Sequence, residues 1–372
     1  MKYDVIIVGA GPAGMAAAHT LINNNISCCV IDKQVFPRNK LCAGGLTNKA
    51  IGLMNELKLG KEFCGKSTVK TTNASLYVNY DHVIDLDNVY ETHLVDRFEF
   101  DDYLVESYKA KRGAMIEGLK VSYISTENKK IMLSDNNIID FEYIIGADGA
   151  VGVTRKLIDK NHKTDGFCLQ IDIDKNNIDY NSDKMSLYYG IIPYGYGWIF
   201  PKEDYVTIGI GSSYDKNLDY KKEFETFLDN LGAKYNRDKI KGAFIPFGDY
   251  VKNPINDAKN MILVGDAAGL ADPISGEGIY FAMLSGIKGA EVITKAINND
   301  NREILSEYVT DIEPITNSIK KGNKLKKTAY KYRKLALGPL KNKKVADLVF
   351  NKCIYNSNYD IKLNDVFKSL SN

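Results

Sequence analysis

Residues 3–14 read Tyr3-Asp4-Val5-Ile6-Ile7-Val8-Gly9-Ala10-Gly11-Pro12-Ala13-Gly14. Val5 to Val8 is an apolar run of the kind that fills a parallel strand buried on both faces. The glycines follow it in G-x-G-x-x-G spacing and open a segment of helical character, Pro12 to Asn24. Gly9 permits the tight turn, Gly11 lets backbone approach a pyrophosphate, and Gly14 lets the helix pack on the strand. The helix N-terminus then presents its partial positive charge to phosphate. A second apolar strand, Cys28 to Ile31, ends in Asp32, 18 residues after Gly14. An acid there can accept hydrogen bonds from ribose hydroxyls. Strand, glycines, helix, strand and acid in this order predict a dinucleotide-binding βαβ unit. The unit alone does not choose between NAD and FAD.

Outward from this start, residues 47–58 read as helix and 67–95 alternate like antiparallel strands. A helix is expected over 95–111 and strands over 114–145. Residues 165–211 are strand-rich, with turns at Tyr194–Gly197 and Lys202–Asp204. A helix follows at 221–231, a short buried strand at Met261–Val264 and a long helix at Gly278–Ile297. The chain from Arg302 on reads as mostly helical, broken at Gly338-Pro339. The expected fold class is α/β. Residues 1–66, 96–158 and 256–298 would form a discontinuous Rossmann-type domain, with 67–95 and 159–255 as an antiparallel-sheet cap and 299–372 as a helical C-terminal region.

A chain of 372 residues with 44% hydrophobic and 26% charged content suits one large or two ordinary globular domains. The net charge of +2 excludes a nucleic-acid binder by bulk charge. One stretch is biased: Lys320 to Lys344 carries eleven Lys or Arg and no acid. It reads either as a solvated helix face or as a surface that meets anionic lipid or an acidic partner. Cys28, Cys29, Cys42, Cys64, Cys168 and Cys353 show no zinc-ligand spacing, and neither do His19, His82, His93 and His162, so no metal is expected. Cys28 and Cys29 read as core thiols. No apolar run reaches the ~18 residues of a membrane span, and no signal-peptide pattern opens the chain. The expected location is cytoplasmic, with any membrane contact peripheral.

A second signature begins at Met261. The run Met261-Ile-Leu-Val-Gly-Asp-Ala-Ala-Gly-Leu-Ala-Asp-Pro273 is a buried strand that releases Asp266, and Gly276, Gly278 and Ile279 then open a helix. This resembles the second FAD motif of the para-hydroxybenzoate-hydroxylase-like flavoproteins. In that setting Asp266 can bond a ribityl hydroxyl. The amides of Gly278 and Ile279 can face the flavin pyrimidine edge, where negative charge develops on reduction. Gly146-Ala147-Asp148-Gly149, with Arg155 shortly after, resembles the middle motif of the same superfamily. Within it, Phe36-Pro37-Arg38-Asn39-Lys40-Leu41-Cys42-Ala43-Gly44-Gly45-Leu46 resembles the basic, cysteine- and glycine-containing loop of the geranylgeranyl reductase family. Arg97 matches that family's helix-start arginine. Tyr196-Gly-Trp-Ile-Phe-Pro-Lys202, followed by Gly209 and Gly211, is similar to its aromatic segment and holds the only Trp of the chain.

The resemblance implies FAD, and non-covalent binding is expected because no residue marks itself as a flavin attachment site. The cofactor positions it implies, together with the motifs, are Gly9, Gly11, Ala13, Gly14, Asp32, Lys33, Cys42, Ala43, Gly45, Arg97, Val121, Asp148, Gly265, Asp266, Gly278 and Ile279. Val121 is placed at a strand end, where family members contact adenine through backbone. The chain departs from the pattern at Ala43, where a glycine often follows the cysteine, and at Asp32, where Glu is commoner. Cys42 is the candidate catalytic residue, a thiol or proton donor near the flavin; the alternative is a small residue that fits the loop. Tyr196, Trp198 and Phe200 are the candidate substrate lining, and ordinary core packing is their alternative. Lys202 reads either as an anchor for a phosphate headgroup or as a solvated side chain.

The activity implied is reduction of isoprenoid C=C bonds on a lipid or related substrate. The rivals are a monooxygenase or halogenase of the same fold and a flavin-binding protein without turnover. A halogenase should show W-x-W-x-I-P, whereas this chain has Gly-Trp-Ile-Phe-Pro. No second dinucleotide motif is visible, so NAD(P)H and a ferredoxin-like protein both stand as electron donors.

Overall fold

The computed structural model of the chain describes residues 2–63, 68–87, 91–160, 164–180 and 183–360; Cys64 and His162 lie outside them. β1 (Lys2–Val8), α1 (Pro12–Asn23) and β2 (Cys28–Asp32) form the βαβ unit, with Val5 opposite Cys28 and Val8 opposite Ile31 in parallel register. Pro12 stands at the first helical position, where a missing N–H costs nothing, and no side chain caps α1. β3 (Gly45–Thr47), α2 (Asn48–Glu56) and the short α3 (Gly60–Phe63) follow. Next come β4 (Val69–Thr71), β5 (Ala74–Val78), β6 (Asp81–Leu86) and β7 (Thr92–Leu94). α4 (Arg97–Ala110) is capped by Asp96, whose carboxylate accepts from Phe98 N at 2.7 Å. β8 (Ala114–Glu117), β9 (Val121–Ser125), β10 (Lys130–Leu133), β11 (Ile138–Gly146) and α5 (Arg155–Ile158) complete the first half.

The second half opens with β12 (Gly166–Asp174), β13 (Met185–Tyr189), β14 (Gly195–Pro201), β15 (Tyr205–Ser213), α6 (Tyr220–Asn230) and β16 (Lys241–Ile245). It returns through β17 (Met261–Leu263) to α7 (Ile279–Asn298). α8 (Glu307–Asp311), α9 (Glu313–Lys331), α10 (Arg333–Leu337), α11 (Lys343–Val349) and a π-helical turn, Phe350–Tyr355, close the described chain.

The strands make two seven-stranded sheets and a small one. The first runs β8-β2-β1-β11-β10-β9, with β17 beside β11; its middle strands are parallel. Val5, Ile6, Ile7, Ile144 and Ile145 are fully buried in it, as strands covered on both faces must be. α1 and α7 lie against each other because small residues let them: a Cβ on Gly286 would sit 2.2 Å from Ala13 O. The second sheet, β16-β12-β15-β14-β13-β5-β6, is the cap. One of its faces packs Ile171, Ile199 and Ile208 against Phe224, Phe227 and Leu228 of α6. The third sheet is β3-β7-β4.

Three local expectations need correction. The 67–95 segment is not wholly antiparallel, because β5 pairs with the distant β13 in parallel, Ala74 opposite Met185. The turn placed at 194–197 ends earlier, since Gly195 already pairs with Ser212. Val121 begins a strand rather than ending one. No helix among the described residues is long and apolar enough to cross a membrane.

Candidate functional site

A cavity of about 1220 Å³ lies between the C-terminal ends of the parallel strands and the cap sheet. This exceeds the ~300–1,000 Å³ of an ordinary small-molecule pocket. Gly9, Gly11, Ala13, Asp32, Lys33, Cys42, Ala43, Gly45, Arg97, Val121, Asp148, Asp266, Gly278 and Ile279 all line it, as do Tyr196, Trp198 and Phe200. Gly14 and Gly265 do not. A Cβ on Gly14 would stand 1.9 Å from Gly9 O, and one on Gly265 (φ +54°) would stand 2.9 Å from the Ala13 Cβ. Both glycines therefore work behind the wall, letting strand, α1 and α7 close up.

At the first motif the wall is backbone. Gly9 sits at φ +106°, and a Cβ there would meet Ala147 O at 2.3 Å. Gly11 faces open space, with the Arg38 guanidinium beyond it. Asp32 accepts from Ala10 N at 2.8 Å and from Gln34 N at 2.9 Å, so it ties the glycine loop to the end of β2 while lining the cavity. Arg97 donates twice to the fully buried Asp101, at 2.6 and 2.7 Å. Arg38 approaches the same carboxylate at 3.1 Å but leaves its Nη1 without a hydrogen-bond acceptor. Two guanidiniums share one carboxylate, so one positive charge is left over on the wall facing Gly11 and the uncapped N-terminus of α1. An anionic group is what such a place fits.

At the second motif α7 also starts without a side-chain cap, at Gly278. Asp266 lines the cavity just before it. Arg155 is buried behind, reaching Asp266 O and Asp249 O at 3.4 Å, and braces the loop. The Asp148 carboxylate is turned into its own loop, where Thr154 donates to it through both N–H (3.0 Å) and hydroxyl. It therefore offers the cavity little beyond its main chain. Glu277 faces Thr47 Oγ1 at 2.7 Å and Lys49 Nζ at 3.2 Å, and burial raises its carboxyl above the usual range. The free amides, the unshared cationic charge and the acid before α7 fit FAD laid along this wall.

The cap contributes side chains. Strand alternation on β14 puts Tyr196, Trp198 and Phe200 on one face. The Tyr196 hydroxyl donates to Ser275 O at 2.6 Å. Trp198 lies across β15 where Gly209 and Gly211 leave room; a Cβ on Gly209 would be 2.2 Å from its ring. Phe200 packs against Gly45. Cys42 is half-buried: its sulfur accepts from Gly44 N at 3.4 Å and lies beside Arg97. Cys168 also lines the cavity, but burial pushes its thiol up to about 12, so it serves as packing. Met185 and Leu187 of the cap and Phe350 and Ile354 of the C-terminal turn complete an apolar half.

Both readings of Lys202 are overturned. The side chain is 5% exposed, and its ammonium donates to Ala43 O at 2.7 Å and Val95 O at 2.9 Å. Arg38, Phe350 and Ile354 were missed as wall residues. Arg38 stood in a quoted loop, but nothing in the sequence links it to Asp101; Phe350 and Ile354 carry no signal in a lone helical tail.

The FAD binding domain family matches residues 2–321 of this chain; the turn that bears Phe350 lies beyond that match. An uncharacterized protein of Methanosarcina barkeri is 34% identical over 84% of this chain and 80% of its own length. The digeranylgeranylglycerophospholipid reductase of Methanocaldococcus jannaschii is 29% identical over 82% of this chain and 81% of its own. Among solved structures, a geranylgeranyl bacteriochlorophyll reductase-like protein from Thermoplasma acidophilum superposes with a TM-score of 0.74. It covers 100% of this chain and 96% of that one at 23% identity, which speaks to fold alone.

Proposed function

This chain belongs to the FAD binding domain family and is an FAD-dependent oxidoreductase; from that premise we propose that it reduces C=C bonds of an isoprenoid, geranylgeranyl-type chain on a lipid or related substrate. The observation that carries this reading is the apolar wall of Trp198, Phe200, Met185, Leu187 and Phe350, which shares one cavity with the cofactor wall and the Cys42 loop. The named reductase relative supports the same substrate class.

Once bound and reduced by NAD(P)H or a ferredoxin-like protein, FAD would supply a hydride to one alkene carbon. The residues of the chain do the rest. The Gly11 and Ala13 amides, Arg38 and Arg97 would hold the pyrophosphate, and Asp266 would hold the ribityl chain. The Gly278 and Ile279 amides would face the flavin edge where charge builds up. The apolar wall keeps an isoprenoid chain in place and keeps water out. Cys42 holds, at Sγ, the proton that the second alkene carbon needs. A substrate of this kind resides in a bilayer, so the outward lysines of α9 (Lys320, Lys324 and Lys327) are assigned to anionic headgroups.

The test is anaerobic. Dithionite-reduced protein mixed with a geranylgeranyl-bearing lipid should return to the oxidised flavin spectrum as the lipid gains hydrogen. Reoxidation by oxygen alone, with hydroxylated or halogenated product, would replace this reading with a monooxygenase or halogenase.

A further inference from the structure

Lys202 is a buried cation that the mechanism above does not use. It sits where three distant segments meet. The β3–β7 ladder extends one bond past its last named pair, Val95 N to Gly44 O at 2.8 Å. Beyond that bond Ala43 O and Val95 O have no strand to serve them, and both accept instead from Lys202 Nζ. Gly44 lies at φ +75°; a Cβ on it would stand 2.0 Å from Val95 O and 3.0 Å from Lys202 Nζ. The junction leaves no room for a side chain at position 44. Lys202 itself leaves β14 at the turn into β15, with its N–H on Tyr205 O at 2.8 Å. Tyr205 adds a parallel tie, its hydroxyl donating to Asp96 Oδ2 at 2.7 Å.

Burying an ammonium costs far more than burying a methionine of similar length. What the ammonium adds is two strong hydrogen bonds that tie the cap turn to both segments at once, where Val95 N–Gly44 O joins the two segments only to each other and Tyr205 reaches only the Asp96 side. One acceptor is the residue after Cys42; the other lies two residues before Arg97. We propose that Lys202 is a positioning residue: its ammonium replaces the missing ladder bonds and fixes the Cys42–Gly44 loop against the cap strand that carries Trp198 and Phe200. It does not line the cavity, so it acts through Ala43 and Val95 rather than on a ligand. Burial pushes the group down to about 8, with Cys42, Asp96 and Asp172 pulling the other way.

The proposal places Cys42 at the flavin but does not need an alkene substrate, so its test separates from the reductase reading. Holoenzyme of wild type and of Lys202→Met is treated with iodoacetamide, and Cys42 alkylation is followed by peptide mass spectrometry; Cys28, Cys29, Cys168 and Cys353 are buried. In Lys202→Met the rate should rise about tenfold or more while FAD affinity stays within about threefold. Lys202→Gln keeps an uncharged N–H donor and should fall between the two; it carries the same test if the methionine variant does not fold. Tyr205→Phe, which leaves both Lys202 bonds in place, should alkylate at close to the wild-type rate. Where a reducible substrate is in hand, kcat should fall about thirtyfold in Lys202→Met with KM changed less than about threefold. Wild-type alkylation rates in FAD-loaded Lys202→Met, or in the Gln variant if only that folds, would overturn the proposal.

Discussion

The two walls of the cavity are built from different parts of the chain. The cofactor wall is backbone: amides at Gly11, Ala13, Gly278 and Ile279, on turns that Gly9, and Gly14 and Gly265 behind the wall, close up because their Cβ atoms would have nowhere to go. The cap wall is side chain: Tyr196, Trp198 and Phe200 on one strand face, with Lys202 anchoring its end. A backbone wall tolerates almost no substitution at its glycines and is indifferent to most others. A side-chain wall can be reshaped residue by residue without losing the cofactor. The sharpest way to break this contrast is Gly14→Ala against Phe200→Ala. Gly14→Ala drives a methyl into Gly9 O and should cost at least ~3 kcal/mol, about 100-fold or more in FAD affinity. Phe200→Ala should leave FAD within about threefold and change only what the apolar half accepts. Flavin released from wild type on denaturation should chromatograph as FAD, not FMN. Equal loss of flavin in both variants would erase the distinction.

Two buried bases behind the walls should answer to pH in different windows. His19 is buried in α1; its ring faces Leu104 O at 3.1 Å and Lys111 Nζ at 3.3 Å. Burial holds it down to about 4, against 6.5 for a free imidazole. The folded state therefore stays neutral where the unfolded chain takes a proton. The stability this gives is complete above pH 6.5 and is lost as pH falls from there toward 4, by about 3 kcal/mol. Lys202, at about 8 against 10.5, has the same sign in another window. It binds its proton less tightly in the folded chain, so stability climbs as pH rises from 8 through 10.5. Urea midpoints across pH should show an acid limb missing in His19→Leu and an alkaline rise reduced in Lys202→Met. An acid limb unchanged in His19→Leu would move that loss to the carboxylates.

Legibility in the sequence follows the same division. The βαβ unit and the second motif could be read because each is local: a strand, a turn that needs glycine, a helix and an acid within a few dozen residues. Sheet class and most elements followed from the same periodicity. The cap was readable as strands, but its pairing was not, since β5 finds β13 more than a hundred residues away. Lys202 was misread because the charge of a lysine predicts solvent, and only the convergence of Ala43 O and Val95 O keeps it inside. Asp148 and Gly265 lie within recognisable motifs, yet one is occupied by Thr154 and the other by helix packing. A motif gives a position in the chain, and contacts decide what that position does.

Asp32 gives a finer test of the cofactor wall. Its carboxylate already receives two backbone N–H groups, so a simple loss of affinity would not separate loop repair from ribose contact. Asp32→Ala should weaken FAD by about 1–3 kcal/mol. The loss should shrink when the titrant is an FAD analogue lacking the adenosine ribose hydroxyls. An equal loss with both titrants would confine Asp32 to holding the loop.

The smallest effect concerns the buttress behind the cap wall. α9 turns its acid-free run two ways. Lys326 points inward, donating to Phe247 O at 2.7 Å and Ser213 Oγ at 2.9 Å, and burial pushes it down to about 8. Lys321 is paired with Asp360 at 2.7 Å. Lys320, Lys324, Lys327 and Lys331 remain exposed. A docking face therefore holds fewer charges than the run suggests, each adding about 1 kcal/mol near anionic lipid before salt screens it. At low salt the protein should sediment with anionic vesicles but not with neutral ones. Changing Lys320, Lys324 and Lys327 together to Gln should release it with FAD content unchanged. Lys326→Gln should behave in the opposite way, lowering the urea midpoint while leaving sedimentation intact, because it strips donors from the buttress and removes no exposed charge. If the wild type ignores anionic vesicles, the outward face of α9 is a solvated surface, and a lipid substrate must reach the cavity from another side.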